Sequence, residues 1–328
     1  MNQKLLAQGF ACWVLLVASL AFGATPSPQG ASASNALSRP SPNRNVLGII
    51  AGGTSGTYIR IAADIASVLD APDLRVLATV GKGSTQNIND LLYLKGVDMA
   101  IVQSDVLEYL KRQSSAETIE KRIRYITKLY NEEFHLLATD KVETLADLAG
   151  KKVNFDVEGS GTALTASVLF ETLKLAVEPT HFDQSTALQK LKSGEISALA
   201  YVAGKPTALF EKIGAAEQLH FLPIAYTPDL MDTYLPATLN FQDYPALIAA
   251  NEEIKTIAVG AVLAAYSWPE QSRRYRKVAQ FTEAFFRHFN EFRQPGRHPK
   301  WREVSLSATL PGWTRFPAAE SWLKNQPR

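Results

Sequence analysis

Three short stretches of the chain set glycine beside serine or threonine: Gly52-Gly53-Thr54-Ser55-Gly56-Thr57, Gly83-Ser84 and Gly159-Ser160-Gly161-Thr162. Each stands directly ahead of a segment with helical spacing. Glycine lets a backbone approach a bound molecule with no Cβ in the way. A hydroxyl at that place caps the helix or hydrogen-bonds outward. The first N–H groups of a helix lack intrahelical partners, and the helix dipole adds partial positive charge, so such a turn attracts an anion. One such turn is ordinary helix capping. Three in one chain point to a cleft that holds a carboxylate with little formal positive charge.

Other chemistries do not fit. The first turn lacks the Gly-Lys-Ser/Thr ending of a P-loop and the full dinucleotide fingerprint. No Gly-x-Ser-x-Gly nucleophile elbow occurs. His135, His181, His220, His288 and His298 show no metal-ligating i, i+4 pairing and read as surface or packing residues. Asp98 and Asp105 flank a strand and gain no acid/base geometry from it. No catalytic residue, metal site or cofactor is expected. The single cysteine, Cys12, falls in a segment expected to be removed.

Those turns need elements to carry them. Val46 to Ala51 is a short apolar run, and Ile61, Ile65, Val68 and Leu69 follow at helical spacing. Leu74 to Val80 reads as a strand, then a helix holds Ile88, Leu91 and Leu92 and stops at Gly96. Val97 to Val102 is a strand ending in Gln103-Ser104-Asp105. The pattern recurs in residues 151–155, a helix with Leu164, Val168, Leu169 and Leu173, a helix ending at Leu191 and Gly194, and a strand over 196–202. Such alternation predicts mainly parallel sheets covered by helices, with ligands bound beyond the carboxyl ends of the strands.

The 328 residues are 46% hydrophobic and 20% charged, a globular composition. Lys4, the apolar run 10–22 and the small residues Ala21 and Gly23 form a secretory signal peptide over 1–23. That run is too short to span a bilayer. Residues 24–44, rich in Pro, Ser, Ala and Asn, read as a flexible leader. Loss of Lys4 lowers the formal charge of +2 by one. With no basic block, nothing draws the protein to nucleic acid.

With these stretches in hand, the chain resembles the TAXI group of solute receptors, the extracytoplasmic subunits of tripartite ATP-independent periplasmic (TRAP) transporters. The resemblance spans residues 46–290. It rests on IIAGGTSGTYIRIAADIA (49–66), GKGSTQNINDLLYLKGVDMAIVQSD (81–105), LYNEEFHLLAT (129–139), LADLAGKKVNFDVEGSGT (145–162) and LKSGEISALAYVAGKP (191–206). It implies an α/β, type II periplasmic-binding-protein fold with two lobes, a hinge and an inter-lobe cleft. Lobe I would comprise 45–136 and 238–328, with a C-terminal extension, and lobe II 137–237. Hinge segments would lie near 125–137 and 225–244.

The likeness places the ligand among Thr54, Ser55, Tyr58, Ser84, Asn87, Gln103, Asp105, Tyr130, Ser160, Gly161, Thr162 and Lys205. Read without it, Asp105 equally suits a helix cap, Tyr130 the core, and Lys205 the solvated surface. Many relatives have glycine where Ser55 stands. The implied role is to bind a small organic acid or amino acid in the periplasm, as a monomer, and deliver it to the TRAP permease subunits. A periplasmic ligand sensor for a signalling partner is the alternative. The aromatic and basic tail, with Trp301 and Trp313, reads as packing across the back of a lobe or as a docking surface.

Overall fold

The computed structural model describes residues 45–112, 119, 121–231 and 233–325. The expected signal peptide, the leader and Cys12 lie outside the described residues.

Strand β1 (Val46–Ile50) is buried along nearly its whole length, as a strand covered on both faces must be. It pairs in parallel with β2 (Arg75–Thr79) and β3 (Met99–Gln103). Helix α1 (Thr57–Val68) follows β1 and turns Ile61, Ala62 and Ile65 inward. Helix α2 (Ser84–Tyr93) follows β2 and buries Ile88 and Leu91, and α3 (Val106–Arg112) follows β3. A second parallel set comprises β5 (Lys152–Asn154), β6 (Glu178–Thr180) and β7 (Ala198–Ala203). It is served by α4 (Gly161–Thr172) and α5 (Gln184–Lys192).

What joins the two sets departs from the expected pair of parallel sheets. Strands β4 (Ile123–Thr139) and β10 (Glu253–Tyr266) run antiparallel to each other through the centre. They fuse everything into one ten-stranded sheet, ordered β2-β1-β3-β10-β4-β7-β5-β6. Short β8 (Leu219–Phe221) pairs with β4, and β9 (Leu235–Asn240) pairs with β10. The antiparallel centre escaped the strand–helix reading because neither long strand is followed by its own crossover helix.

Four buried clusters line the sheet. At the β1 end, one gathers α1, helix α6 (Arg273–Arg287), helix α7 (Pro317–Lys324) and the aromatic residues Phe285, Phe292, Trp301 and Phe316. The other, on α2, includes Ile50, Ile88, Val262 and Leu164. Two further clusters surround β5 and β7, and they take in Leu239, Tyr244, Ile257 and Val259. Strand β10 therefore leaves the second pair of clusters and enters the first near Gly260. The tail packs inward: Trp301 is fully buried against Phe292, their ring centroids 4.6 Å apart.

Candidate functional site

Four helix beginnings meet at one cleft. Helices α1 and α2 come from the β1 end of the sheet, α4 and α5 from the β5 end. The cleft encloses a cavity of about 190 Å³, smaller than the roughly 300–1,000 Å³ of a drug-sized site. That volume suits a small solute.

The four helix starts are not finished alike. The N-caps of α1 and α2 are Gly56 and Gly83, and neither helix has a side-chain cap hydrogen bond. Their first amides are therefore free of side-chain competition. At α4, Ser160 Oγ accepts from the Ala163 amide, 3.0 Å away. At α5, Asp183 accepts from the Thr186 hydroxyl and from the Thr186 and Ser185 amides, and these bonds hold its carboxyl below the usual range. Capping by serine or threonine, read from sequence for all three turns, thus occurs only at Ser160.

Ser84 Oγ instead donates to Gln103 Oε1 at 3.1 Å and accepts from the Gln103 amide at 2.8 Å. This pair fixes the end of β3 against the start of α2. The Thr162 hydroxyl accepts from the Val202 amide at 3.0 Å, tying α4 to β7. Thr54 and Ser55 stand at the mouth, and Tyr58 lies deeper, its hydroxyl donating to Glu132 Oε2 at 2.6 Å. Eight of the expected residues, Thr54, Ser55, Tyr58, Ser84, Gln103, Ser160, Gly161 and Thr162, thus line one space.

The two ends of the sheet touch beside that space. The Gln86 amide donates to the Gly159 carbonyl at 3.1 Å. Gly83 has φ of 119°, which side chains rarely adopt, and a Cβ there would meet the Gly161 amide at 3.0 Å. A Cβ on Gly161 would overlap Gln103 Oε1 and lie 2.7 Å from Ser84 Oγ. Glycine at both positions makes this seam possible.

Four expected residues do not reach the cavity. Asn87 is buried behind it, donating to the Ala51 and Ile101 carbonyls and accepting from the Gly83 amide, so it shapes the α2 turn from behind. Asp105 turns to the seam, where Oδ2 accepts from the Thr165 hydroxyl at 2.9 Å, and burial pushes its carboxyl up to about 6. Tyr130 belongs to the core beside α1. The Lys205 ammonium is held away by Thr238 O and Asp243 Oδ2, at 2.6 and 2.9 Å.

The cleft also presents groups that the site reading missed: Lys82, Glu132, Asp156, Asp183, Gln184 and Tyr201. Glu132, Asp156 and Tyr201 lie inside stretches quoted above for the resemblance. Glu132 within an apolar strand and Tyr201 in a buried run carry no helix-start signature, and Asp156 stands in the turn after β5, ahead of the Ser160 cap, so nothing local marked them. Burial raises the Glu132 carboxyl well above its usual range, although the Tyr58 hydroxyl opposes the shift. Burial likewise pushes Asp156 to about 6. The Tyr201 phenol is raised by burial and by the facing carboxyls of Asp156 and Glu132. Gln184 Oε1 is buried and has no partner among the described residues. Among the described lining residues the only basic one is Lys82. Among the described residues no group of three His, Cys, Asp or Glu is placed to hold a metal ion.

The family model described as NMT1-like matches residues 49–313. The chain belongs to the NMT1-like family. Two solved structures are similar to this NMT1-like chain. One is the periplasmic binding protein BugD, at 11% identity over 85% of this chain and 92% of that one, with a TM-score of 0.53. The other is described as a periplasmic transporter, at 12% identity over 85% and 91% of the two chains, also with a TM-score of 0.53. The likeness is one of fold. The NMT1-like chain has the type II periplasmic-binding-protein architecture, two lobes with the cleft between them.

Proposed function

We propose that this protein is an extracytoplasmic solute receptor that captures a small organic anion and delivers it to a membrane permease. The observation that carries the reading is the convergence of four helix beginnings from both lobes on one small cleft, two of them without side-chain caps. Amides at helix starts hold a carboxylate without a matching formal charge. Binding, with no chemistry on the solute, is the whole of the role. The resemblance to the TAXI receptors makes the permease one of the TRAP type. The leader features of residues 1–23 support a periplasmic location, and the receptor is read as a monomer.

The acids in the cleft narrow the ligand. Asp156, pushed by burial only to about 6, is ionised at neutral pH and faces the space that the anion enters, so it repels a second carboxylate, while burial disfavours the ionised form of Glu132. An ammonium on the solute favours the ionised form of both, and a solute hydroxyl donates to Asp156. Amino acids and hydroxy acids therefore fit better than plain dicarboxylates. We read the hinge along the long central strands, where β10 passes from one pair of cores to the other near Gly260, opposite Asn131 of β4. Closure draws the lobes together because only the closed form touches the solute from both sides.

A thermal-shift screen of organic acids tests the reading. At 100 times its dissociation constant a ligand stabilises the folded form by about 2.7 kcal/mol. Amino or hydroxy acids are expected to stand out from matched dicarboxylates. A panel in which no organic acid stabilises the protein would sink the receptor, and equal stabilisation by plain dicarboxylates would sink the role given to Asp156.

A further inference from the structure

The C-terminal segment does more than cover a face. Arg297, the His298 amide and the Trp301 indole N–H all bind the Asp64 carboxylate on α1, at 3.3, 3.0 and 2.8 Å. Between these anchors the segment sends one charged side chain into the protein. Lys300 is 1% exposed, and its ammonium donates to Glu133 Oε1 at 2.6 Å and to Glu303 Oε2 at 3.0 Å. Glu133 is itself buried, and its second oxygen accepts from the Lys205 amide at 3.0 Å. The Lys300 stem lies so close to Gly204 that a Cβ there would meet its Cγ at 3.0 Å, and the Gly204 carbonyl accepts from the Thr57 hydroxyl.

The position of this ion pair on β4 is what gives it meaning. Successive residues of a strand point to opposite faces. Glu132 points into the cleft, where Tyr58 holds it, so Glu133 points to the back, where Lys300 holds it. Glu133 sits opposite Ala203 of β7 and Ala258 of β10, at the place where the central strands pass between lobes. Both grips come from the same lobe, one through α1 and one through the tail. A buried ion pair gains little over apolar packing, while removing one partner strands the other charge.

We propose that Lys300 is a positioning residue for solute capture: carried on the C-terminal strap, it holds the back of β4 through Glu133 and so keeps Glu132 and the Gly204–Lys205 turn in the closed-cleft geometry. The proposal rests on the reading that the cleft opens and closes, and it does not depend on which solute enters.

Inter-lobe distance measured in the ligand-free full chain tests it, using paired spin labels on Lys95→Cys and Glu171→Cys with Cys12→Ser. The parent is expected to show a short-distance population, the closed form sampled before the solute enters, beside a longer one. Lys300→Met and Glu133→Gln are each expected to move part of the population to longer distances, and the double substitution to move it no further than either one. Lys300→Arg is expected to keep the parent distribution. Parent-like distances in every variant that still melts cooperatively overturn the proposal, even if the melting temperature falls, because that outcome describes a purely stabilising contact. Should Lys300→Met fail to fold, Glu133→Gln decides alone. Failure of the organic-acid screen leaves these distances readable, so the two readings fail separately.

Discussion

The imidazole of His135 is fully buried between the Tyr201 carbonyl and the Tyr244 hydroxyl, with Phe210 and Phe221 around it. Burial lowers its pKa to about 3. The native state therefore excludes a proton that the unfolded chain accepts below about 6.5. The contribution of this residue to stability is complete above that pH and falls by about 1.4 kcal/mol per pH unit on the way down to about 3. Asp105 and Asp156, raised to about 6, push the other way, since the native state keeps protons that the unfolded chain releases above about 4. A residue-resolved NMR titration separates the three: the His135 ring signals should stay at their neutral positions down to pH 4. A residue titrating near 6.5 would contradict the assignment. Ser84 offers a second check. Ser84→Ala leaves Gln103 with a buried amide and carbonyl unpaired, and about 1–3 kcal/mol of stability should be lost in urea unfolding.

At the scale of elements, the seam between α2 and α4 depends on two glycines. Gly161→Ala should leave each lobe folded but bar the approach of Gly161 to Gln103, so solution scattering should report a larger radius of gyration than the parent. An unchanged radius would mean that the seam is not a closed-state contact. The strand–helix units that present these turns were legible because each follows apolar runs of one period, as in 46–51 and 61–69. The turns themselves were legible because each sets glycine and a hydroxyl residue between an extended run and a segment of helical spacing. The cleft's acids were not. Glu132 sits within a 17-residue strand whose paired acids at 132 and 133 break its apolar run. Its role follows from tertiary position alone. Lys205 was misread for the same reason: its partner, Asp243, lies far along the chain.

Across the whole molecule, the aromatic mass behind α1 joins the tail to the first lobe. Trp301→Ala empties a fully buried site and should cost about 3–5 kcal/mol in chemical denaturation. A loss under 1 kcal/mol would mean that the tail is dispensable. Strands β4 and β10 pass from one lobe to the other without a break, and their residues belong to the cores on both sides. Neither half can lose its order without stripping the middle strands from the other. Heat should therefore melt the chain as a single unit, with calorimetric and van't Hoff enthalpies in agreement, although its architecture has two bodies. Sharing its central strands in this way should protect the chain from partial unfolding, the state in which a protease would find it.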